Sequence, residues 1–157
     1  MSGDTIVTAN TGNGRLEFFR RTGQVLGSRP ISAGALTGRI ALSGDGGFIL
    51  PTNGADSSLA RLYGADGAPG RAIGSPVVPH SPKFDLLQFR AAALRGEVPA
   101  YYRNGVLAAL GADSTVWLAF DAEPVVARFA ANGNPLGRAV LTGGELEPAR
   151  RWYVERN

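Results

Sequence analysis

Three copies of one residue pattern, a spacing typical of one four-stranded blade, and one stretch of helical periodicity predict an all-β fold with an inserted helix. The chain has 157 residues, enough for a single domain. Its 22 glycines and 10 prolines suit a fold of many short strands and turns. The predicted fold class is a partial β-propeller of about three four-stranded blades, with a short helix near 82–95 and a short C-terminal helix.

The repeated pattern consists of an Asp-led turn, a strand, a polar loop, a second strand and a glycine turn before a last strand. The turn glycines are Gly23, Gly67 and Gly133. We expect these glycines to have positive φ in two-residue hairpin loops. The interval of 44 residues from Gly23 to Gly67 is the length of one blade, and the interval of 66 from Gly67 to Gly133 contains about 22 more.

The repeats predict a single domain over 1–157 whose three blade-like units have approximate limits. These units are 3–31, 39–75 and 105–142, with a helical insertion at about 76–100 and a C-terminal helical link at 145–157. The segments 39–42 and 105–110 predict the innermost strands of the second and third units. Since the first unit has no such segment, we expect the chain to begin and end within a larger architecture.

The helix in the insertion has start and stop signals. Ser81 and Pro82 are typical of an N-cap and a first helical residue, and Gly96 is typical of the residue after a helix. Between them the apolar residues recur at helical spacing, which predicts one inward-facing stripe. The residues of this predicted stripe are Phe84, Leu87, Ala91 and Leu94.

Two segments, 4–19 and 116–133, resemble NHL-type propeller repeats, and the similarity extends to the TolB-like six-bladed propeller proteins over most of 3–142. The resemblance implies a closed ring of six blades in the family, of which this chain would supply three. Where the family usually has Asp at the end of the first strand, this chain has Asn10. No catalytic residue of the family maps onto the sequence.

The charges and composition exclude several classes of protein. The net charge is +3, and the sixteen basic residues are spread along the chain with two adjacent pairs, Arg20–Arg21 and Arg150–Arg151, so we expect no nucleic-acid partner. Without cysteine there are no disulfides or thiolate metal sites, and no stretch of 18 apolar residues predicts a membrane span. The first residues lack a signal-peptide pattern, so we expect a cytoplasmic chain by default, although a longer parent protein could be exported.

The polar loops between the middle strands are the candidate binding site, because equivalent loops of a propeller lie on one face. The residues concerned are Asn13, Asn53, Asp56, Asp121 and Glu123. Oxygen ligands of this kind suit Ca²⁺, whereas short polar side chains in turns more often satisfy the backbone. We therefore treat Asn53, Asp56, Asp121 and Glu123 as weak metal candidates and expect no cofactor otherwise.

Two further features lie near the insertion. His80, the single histidine, stands in a loop between prolines and suits either a catalytic base or, more often, an exposed loop residue. The segment 101–103, Tyr-Tyr-Arg, suits an aromatic binding edge or packing of the inserted helix onto the blades.

The leading functional interpretation is a non-enzymatic binding module, a fragment of a longer six-bladed propeller that contacts a protein or small ligand through its loops. One alternative is a fragment of a lactonase-like propeller hydrolase that depends on a divalent metal. The second alternative is a half-propeller that closes its ring by homodimerisation. No nucleophile and base with a recognisable spacing favours the enzyme.

Overall fold

The computed structural model describes residues 5–10, 13–31, 40–80 and 85–144, and this part of the chain forms eleven strands and two short helices. The strands are β1 (Thr5–Asn10), β2 (Arg15–Arg20), β3 (Val25–Pro30), β4 (Ala41–Leu42), β5 (Phe48–Pro51), β6 (Ala60–Tyr63), β7 (Pro69–Ile73), β8 (Val106–Leu110), β9 (Val116–Phe120), β10 (Val125–Phe129) and β11 (Pro135–Val140). The helices are α1 (Leu86–Leu94) and α2 (Ala100–Arg103), both between β7 and β8.

The strands form three antiparallel sheets in which each strand pairs with the next one along the chain. We call them blade 1 (β1–β2–β3), blade 2 (β4–β5–β6–β7) and blade 3 (β8–β9–β10–β11). The predicted all-β class is confirmed, and β4 and β8 lie where the innermost strands were expected. The predicted unit limits stay predictions, and the predicted C-terminal helix at 145–157 lies outside the described residues.

The glycine turn before the last strand of each blade has one shared geometry. Gly23, Gly67 and Gly133 have φ of 86°, 80° and 83°, as predicted. In blade 2 the Gly67 amide donates to the Gly64 carbonyl at 2.9 Å, while the Gly64 amide donates to the Ala68 carbonyl at 3.0 Å. These bonds enclose three loop residues, so the predicted two-residue loops are wrong. The loop is a β-turn followed by a glycine bulge, which also shifts the register of the strand ladder at this end.

Blade 2 lies between the other two blades, and both of its faces are buried. Alternate residues of β5 point in opposite directions: Phe48 and Leu50 pack against blade 1, and Ile49 packs against blade 3. A strand that is covered on both faces reads as a continuous apolar run, which explains why alternation is lost here. The core between blades 1 and 2 contains Leu16, Ile31, Phe48, Leu50 and Tyr63. The core between blades 2 and 3 contains Ile49, Leu59, Ala60, Ile73, Val106, Val116 and Leu118.

The inserted helix is present, but its start and its buried side differ from the prediction. Its N-cap is Asp85, whose carboxylate accepts hydrogen bonds from the amides of Leu87 and Gln88 at 2.9 and 3.1 Å. The expected start at Ser81–Pro82 lies outside the described residues. Gly96 has a φ of 68°, in agreement with its predicted position directly after the helix.

The apolar stripe predicted for α1 is wrong. Leu87 and Leu94 are 78% and 89% exposed, whereas the buried residue of the helix is Ala92. Phe84 lies outside the described residues. The short helix α2 packs beside α1, with the Phe89 and Tyr102 rings 6.1 Å apart in an edge-to-face arrangement. Within the described ranges, neither helix is long and apolar enough to cross a membrane.

We predict that Gly67→Ala lowers the free energy of unfolding by about 1–2 kcal/mol, because an L residue is strained at φ 80°. An added Cβ would also lie 3.2 Å from the Cβ and Cδ atoms of Arg29. Urea unfolding followed by tryptophan fluorescence measures the change.

The matched control is Gly137→Ala on β11, where a Cβ meets no atom within 4 Å and φ is not positive. This variant should unfold within about 1 kcal/mol of the parent, on the stabilised side if it differs. Equal losses in the two variants would contradict the assigned turn geometry.

Candidate functional site

The loops that join the middle strands and the insertion between β7 and β8 lie at the same ends of the strands. In an antiparallel meander, alternate connections lie on one side of the sheets, which places 13–14, 52–59, 74–80, 85–105 and 121–124 on the same side. We call this side the loop face. The sequence expectation that the polar loops share a face agrees with this topology.

Asn104 fixes the insertion to the loop face. Asn104 directly follows α2 in the chain. Its side chain is buried, with 2% of the residue exposed. The side-chain oxygen accepts hydrogen bonds from the amides of Val77 and Val78 at 2.9 and 3.2 Å, and the side-chain nitrogen donates to the Val78 carbonyl at 2.8 Å. Asn104, near the end of the insertion, is therefore bonded to Val77 and Val78 near its beginning.

The loop between β5 and β6 packs closely against this clamp. Gly54 has a φ of 87°, and a Cβ at this position would lie 2.9 Å from the side-chain nitrogen of Asn104 and 3.2 Å from the Pro76 ring. Only glycine fits both the backbone conformation and the space. Next to it, Nδ1 of His80 lies 3.0 Å from the Asn53 carbonyl oxygen. The half-buried His80 ring thus contacts the backbone of a neighbouring loop.

Asp56 organises the same loop through its carboxylate. It accepts hydrogen bonds from the Ser58 amide at 3.2 Å and from the Ser58 hydroxyl, and it pairs with Nε of Arg61 at 2.5 Å. Burial acts to raise the pKa of Asp56, but the hydrogen bonds from Ser58 and Arg61 outweigh it and lower the pKa below its usual value. The carboxylate is therefore ionised and used to hold the loop.

The two acidic residues after β9 have different surroundings. Glu123 lies 3.6 Å from the Arg103 guanidinium and 3.4 Å from that of Arg138, which links α2 to β11. Asp121 makes no side-chain hydrogen bond or ion pair with the described residues, and its Oδ2 atom lies against Gly105. Asp121 is an exposed residue, and the partial burial of its carboxyl raises the pKa of that group.

The amide candidates complete the set. Asn13, in the loop of blade 1, is exposed, and its backbone amide donates to the Asn10 side chain at 3.2 Å. Asn53 has a positive φ of 48° at the tip of the β5–β6 loop. Across the described ranges, no group of three or more His, Asp or Glu side chains is placed to hold a metal ion. The calcium site stays a prediction, and the contacts of Asp56 and Glu123 are those of carboxylates that brace loops.

The exposed side of α1 is the feature that sequence reasoning missed. Leu86, Leu87 and Leu94 of α1 are exposed, and so is Tyr101 of α2. Helical spacing alone could not show which side of this helix is covered, because apolar residues occur all round it. Asn104 was also missed; the one signal in the sequence was a polar residue directly before a predicted strand.

A cleft of about 500 Å³ lies between blades 1 and 2 on the side opposite the loop face. Its lining includes Phe18 and Arg29, whose guanidinium lies 5.4 Å from the Phe18 ring centroid and donates to the Ala65 carbonyl at 2.9 Å. The Arg29 guanidinium of this cleft thus forms a contact between blades 1 and 2.

Comparisons with known proteins identify the architecture. No protein-family model and no curated protein sequence matches the chain. A solved streptogramin B lyase is similar over 92% of this chain, with 14% identity and a TM-score of 0.55. The virginiamycin B lyase from Staphylococcus aureus is similar over 89% of this chain, with 13% identity and a TM-score of 0.56.

The likeness shows the fold: three stacked antiparallel sheets of a partial β-propeller. The chain covers 39% of the length of each lyase. The NHL-type and TolB-like assignments stay resemblances at the level of sequence.

We predict that Asn104→Ala lowers the free energy of unfolding by about 2–3 kcal/mol, because two backbone amides and one carbonyl lose their buried partner. Thermal unfolding by calorimetry measures the change. Asn132→Ala is the control, since its exposed side chain accepts one hydrogen bond, from the Asn134 amide at 3.0 Å. This control should lose less than about 1 kcal/mol; a loss as large as that of Asn104→Ala would contradict the clamp.

Asp56 and Asp121 should affect the pH dependence of stability with opposite signs. An acid with a lowered pKa stabilises the fold above its ordinary value of 3.8, and this contribution disappears as the pH falls through the lowered pKa. An acid with a raised pKa destabilises the fold at neutral pH, and this cost disappears as the pH falls towards 3.8.

We therefore expect Asp56→Asn to reduce stability at pH 7 and Asp121→Asn to increase it. Both differences from the parent should shrink in acid, that of Asp121→Asn above pH 3.8 and that of Asp56→Asn below it. Urea unfolding between pH 2.5 and 7 gives the three curves. Shifts of the same sign in the two variants would contradict the assigned surroundings.

Proposed function

We propose that this chain is a non-enzymatic binding module, part of a larger propeller, and that its inserted helix α1 contacts a protein partner. The observation that carries the proposal is the exposed leucine cluster of the insertion. Leu87 and Leu94 are among the most exposed large apolar side chains in the described structure. Apolar side chains grouped on a surface are a common mark of an interaction site.

The insertion is held firmly enough to present this cluster. The Asp85 cap fixes its first turn, and the Glu97 amide donates to the Ala92 carbonyl at 3.0 Å after its last turn. Contact with Tyr102 holds α1 against α2, and the Asn104 clamp closes the base of the insertion. A preorganised helix loses little conformational freedom on binding, which favours affinity.

The chemistry of the cluster favours a protein over a small ligand. Exposed leucines on a convex helix do not enclose a cavity, whereas small-molecule sites are concave. Arg90 and Arg95 are exposed residues between and next to these leucines in the sequence, and Arg95 pairs with Glu97 at 2.9 Å. An apolar centre with arginine and other polar groups at the rim is the usual composition of a protein interface.

The larger propeller is proposed from the extent of the similarity and from the family resemblance. The chain covers 39% of the two lyase chains, in keeping with a few blades of a ring. A six-bladed ring is the number that the resemblance implies. The lyase activity of those two proteins forms no part of this proposal, since 13–14% identity supports the fold alone.

The hydrolase alternative rests on Asp121, whose carboxyl has a raised pKa and no partner among the described residues. Such a carboxyl suits general acid or base chemistry. The alternative requires turnover of a lactone that is lost in Asp121→Asn and retained in Asp66→Asn, where the exposed Asp66 side chain accepts from the Ala68 amide in the turn of blade 2.

The binding function can be tested with a displayed random-peptide library selected on the immobilised chain. We expect selected peptides to lose at least about tenfold in affinity for Leu87→Glu and Leu94→Glu, because a carboxylate disrupts the apolar centre of the interface. Leu136→Glu, on the exposed outer strand β11, is the matched control and should bind unchanged. Peptides that bind all three variants equally would contradict a site on α1.

A further inference from the structure

The three blades have equivalent positions along their strands, so the burial of a position in one blade can be compared with that of its equivalent in another. Phe19, Tyr63 and Phe129 each stand four residues before the turn glycine. Tyr63 is buried between blades 1 and 2, and Phe129 packs into the core between blades 2 and 3. Phe19 lies on the opposite face of β2 from Phe18, which packs against blade 2. Phe19 therefore lies on the face of blade 1 that no described blade covers.

Blade 3, at the other end of the three stacked blades, has exposed residues where blade 2 has buried ones. Ile49 is fully buried by blade 3, whereas Trp117 at the equivalent position of blade 3 is 41% exposed. Ala60 is likewise fully buried, whereas its equivalent Val126 is partly exposed. The face of blade 3 that would meet a following blade is therefore left uncovered by the described residues.

The uncovered face of blade 3 is mostly apolar, with one arginine. Strand pairing aligns Leu107, Ala119 and Val126 in one row, and Ala109, Trp117 and Arg128 in the next. The Arg128 guanidinium lies 5.4 Å from the Trp117 ring centroid. The corresponding face of blade 2 forms part of the core.

The turn glycines give an independent indication. A Cβ on Gly67 would meet the side chain of Arg29 from blade 1 at 3.2 Å, and a Cβ on Gly133 would meet the side chain of Arg71 from blade 2 at 3.4 Å. At each interface, therefore, an arginine from the outer strand of one blade packs on the turn glycine of the next. Gly23 of blade 1 has no atom of the described residues within 4 Å of its Cβ position.

We propose that the uncovered faces of blade 3 and blade 1 are the two halves of one blade interface, and that a second copy of this chain joins them head to tail. This proposal rests on the larger propeller proposed above and adds the source of the remaining blades. Three blades from each copy make six, within the four to eight blades that close a propeller. A two-fold dimer makes this contact twice and leaves neither face exposed.

The test is the mass of the purified chain by size-exclusion chromatography with light scattering. We expect twice the chain mass of 16.4 kDa at micromolar concentration. Trp117→Glu and Ile6→Glu, one on each uncovered face, should each raise the dissociation constant at least about tenfold, because each places a carboxylate in an apolar contact. Leu94→Glu on α1 is the control and should remain a dimer.

Mixing the two face variants distinguishes head-to-tail docking from a contact between identical faces. A mixed dimer pairs the intact blade 3 of Ile6→Glu with the intact blade 1 of Trp117→Glu, so one interface is restored. We expect the equimolar mixture to dimerise more tightly than either variant alone. Far-UV circular dichroism of each variant confirms that it is folded.

A folded monomer at all concentrations would overturn the proposal, as would assemblies that grow beyond two copies. Variants that leave the mass unchanged, or a mixture with no rescue, would also overturn it. These outcomes do not bear on the proposed binding function, because that function is tested by Leu94→Glu, which should weaken peptide binding without changing the mass.

Discussion

The burial of both faces of blade 2 is the constraint on which the rest of the described structure depends. An isolated four-stranded sheet exposes an apolar face to water, and stacking against a neighbour removes that face. Because Phe48 and Leu50 face one neighbour and Ile49 the other, β5 contributes to both cores at once. Fully burying an aliphatic or aromatic side chain contributes about 1.5–3 kcal/mol, so this one strand couples the stability of the three blades.

The loop face depends on that stacking, since its contacts run between segments far apart in sequence. Asn104 bonds to residues 26 and 27 positions earlier, and His80 reaches a carbonyl in the β5–β6 loop. These polar contacts are possible because the blades beneath them keep fixed positions. A loop that is braced by a rigid sheet can present side chains for binding without ordering on contact.

The sequence predicted the strands and turns well because their signals are local. The repeated glycines had the expected positive φ, since only the identity of the residue and its place after a β-turn decide it. The same residues did not show the loop length, because hydrogen bonds such as that between Gly64 and Ala68 depend on a bulge in the register. The covered side of α1 was also beyond local reasoning: Ala92 is buried because of where the helix docks, and Leu87 is exposed for the same reason. Likewise, the partners of Asp56 and Glu123 are set by the fold, so their types alone suggested a metal site that the described contacts do not assemble.

The Asn104 clamp gives the insertion a degree of independence from the blades. Its three hydrogen bonds close the segment 77–104 at its base, so the separation between the end of β7 and the start of β8 does not depend on what lies between. A closed excursion of this kind can change its length and composition during evolution while the strands on either side keep their register. Changes to the insertion between its clamped ends can thus alter its binding surface at little cost to the folding of the blades.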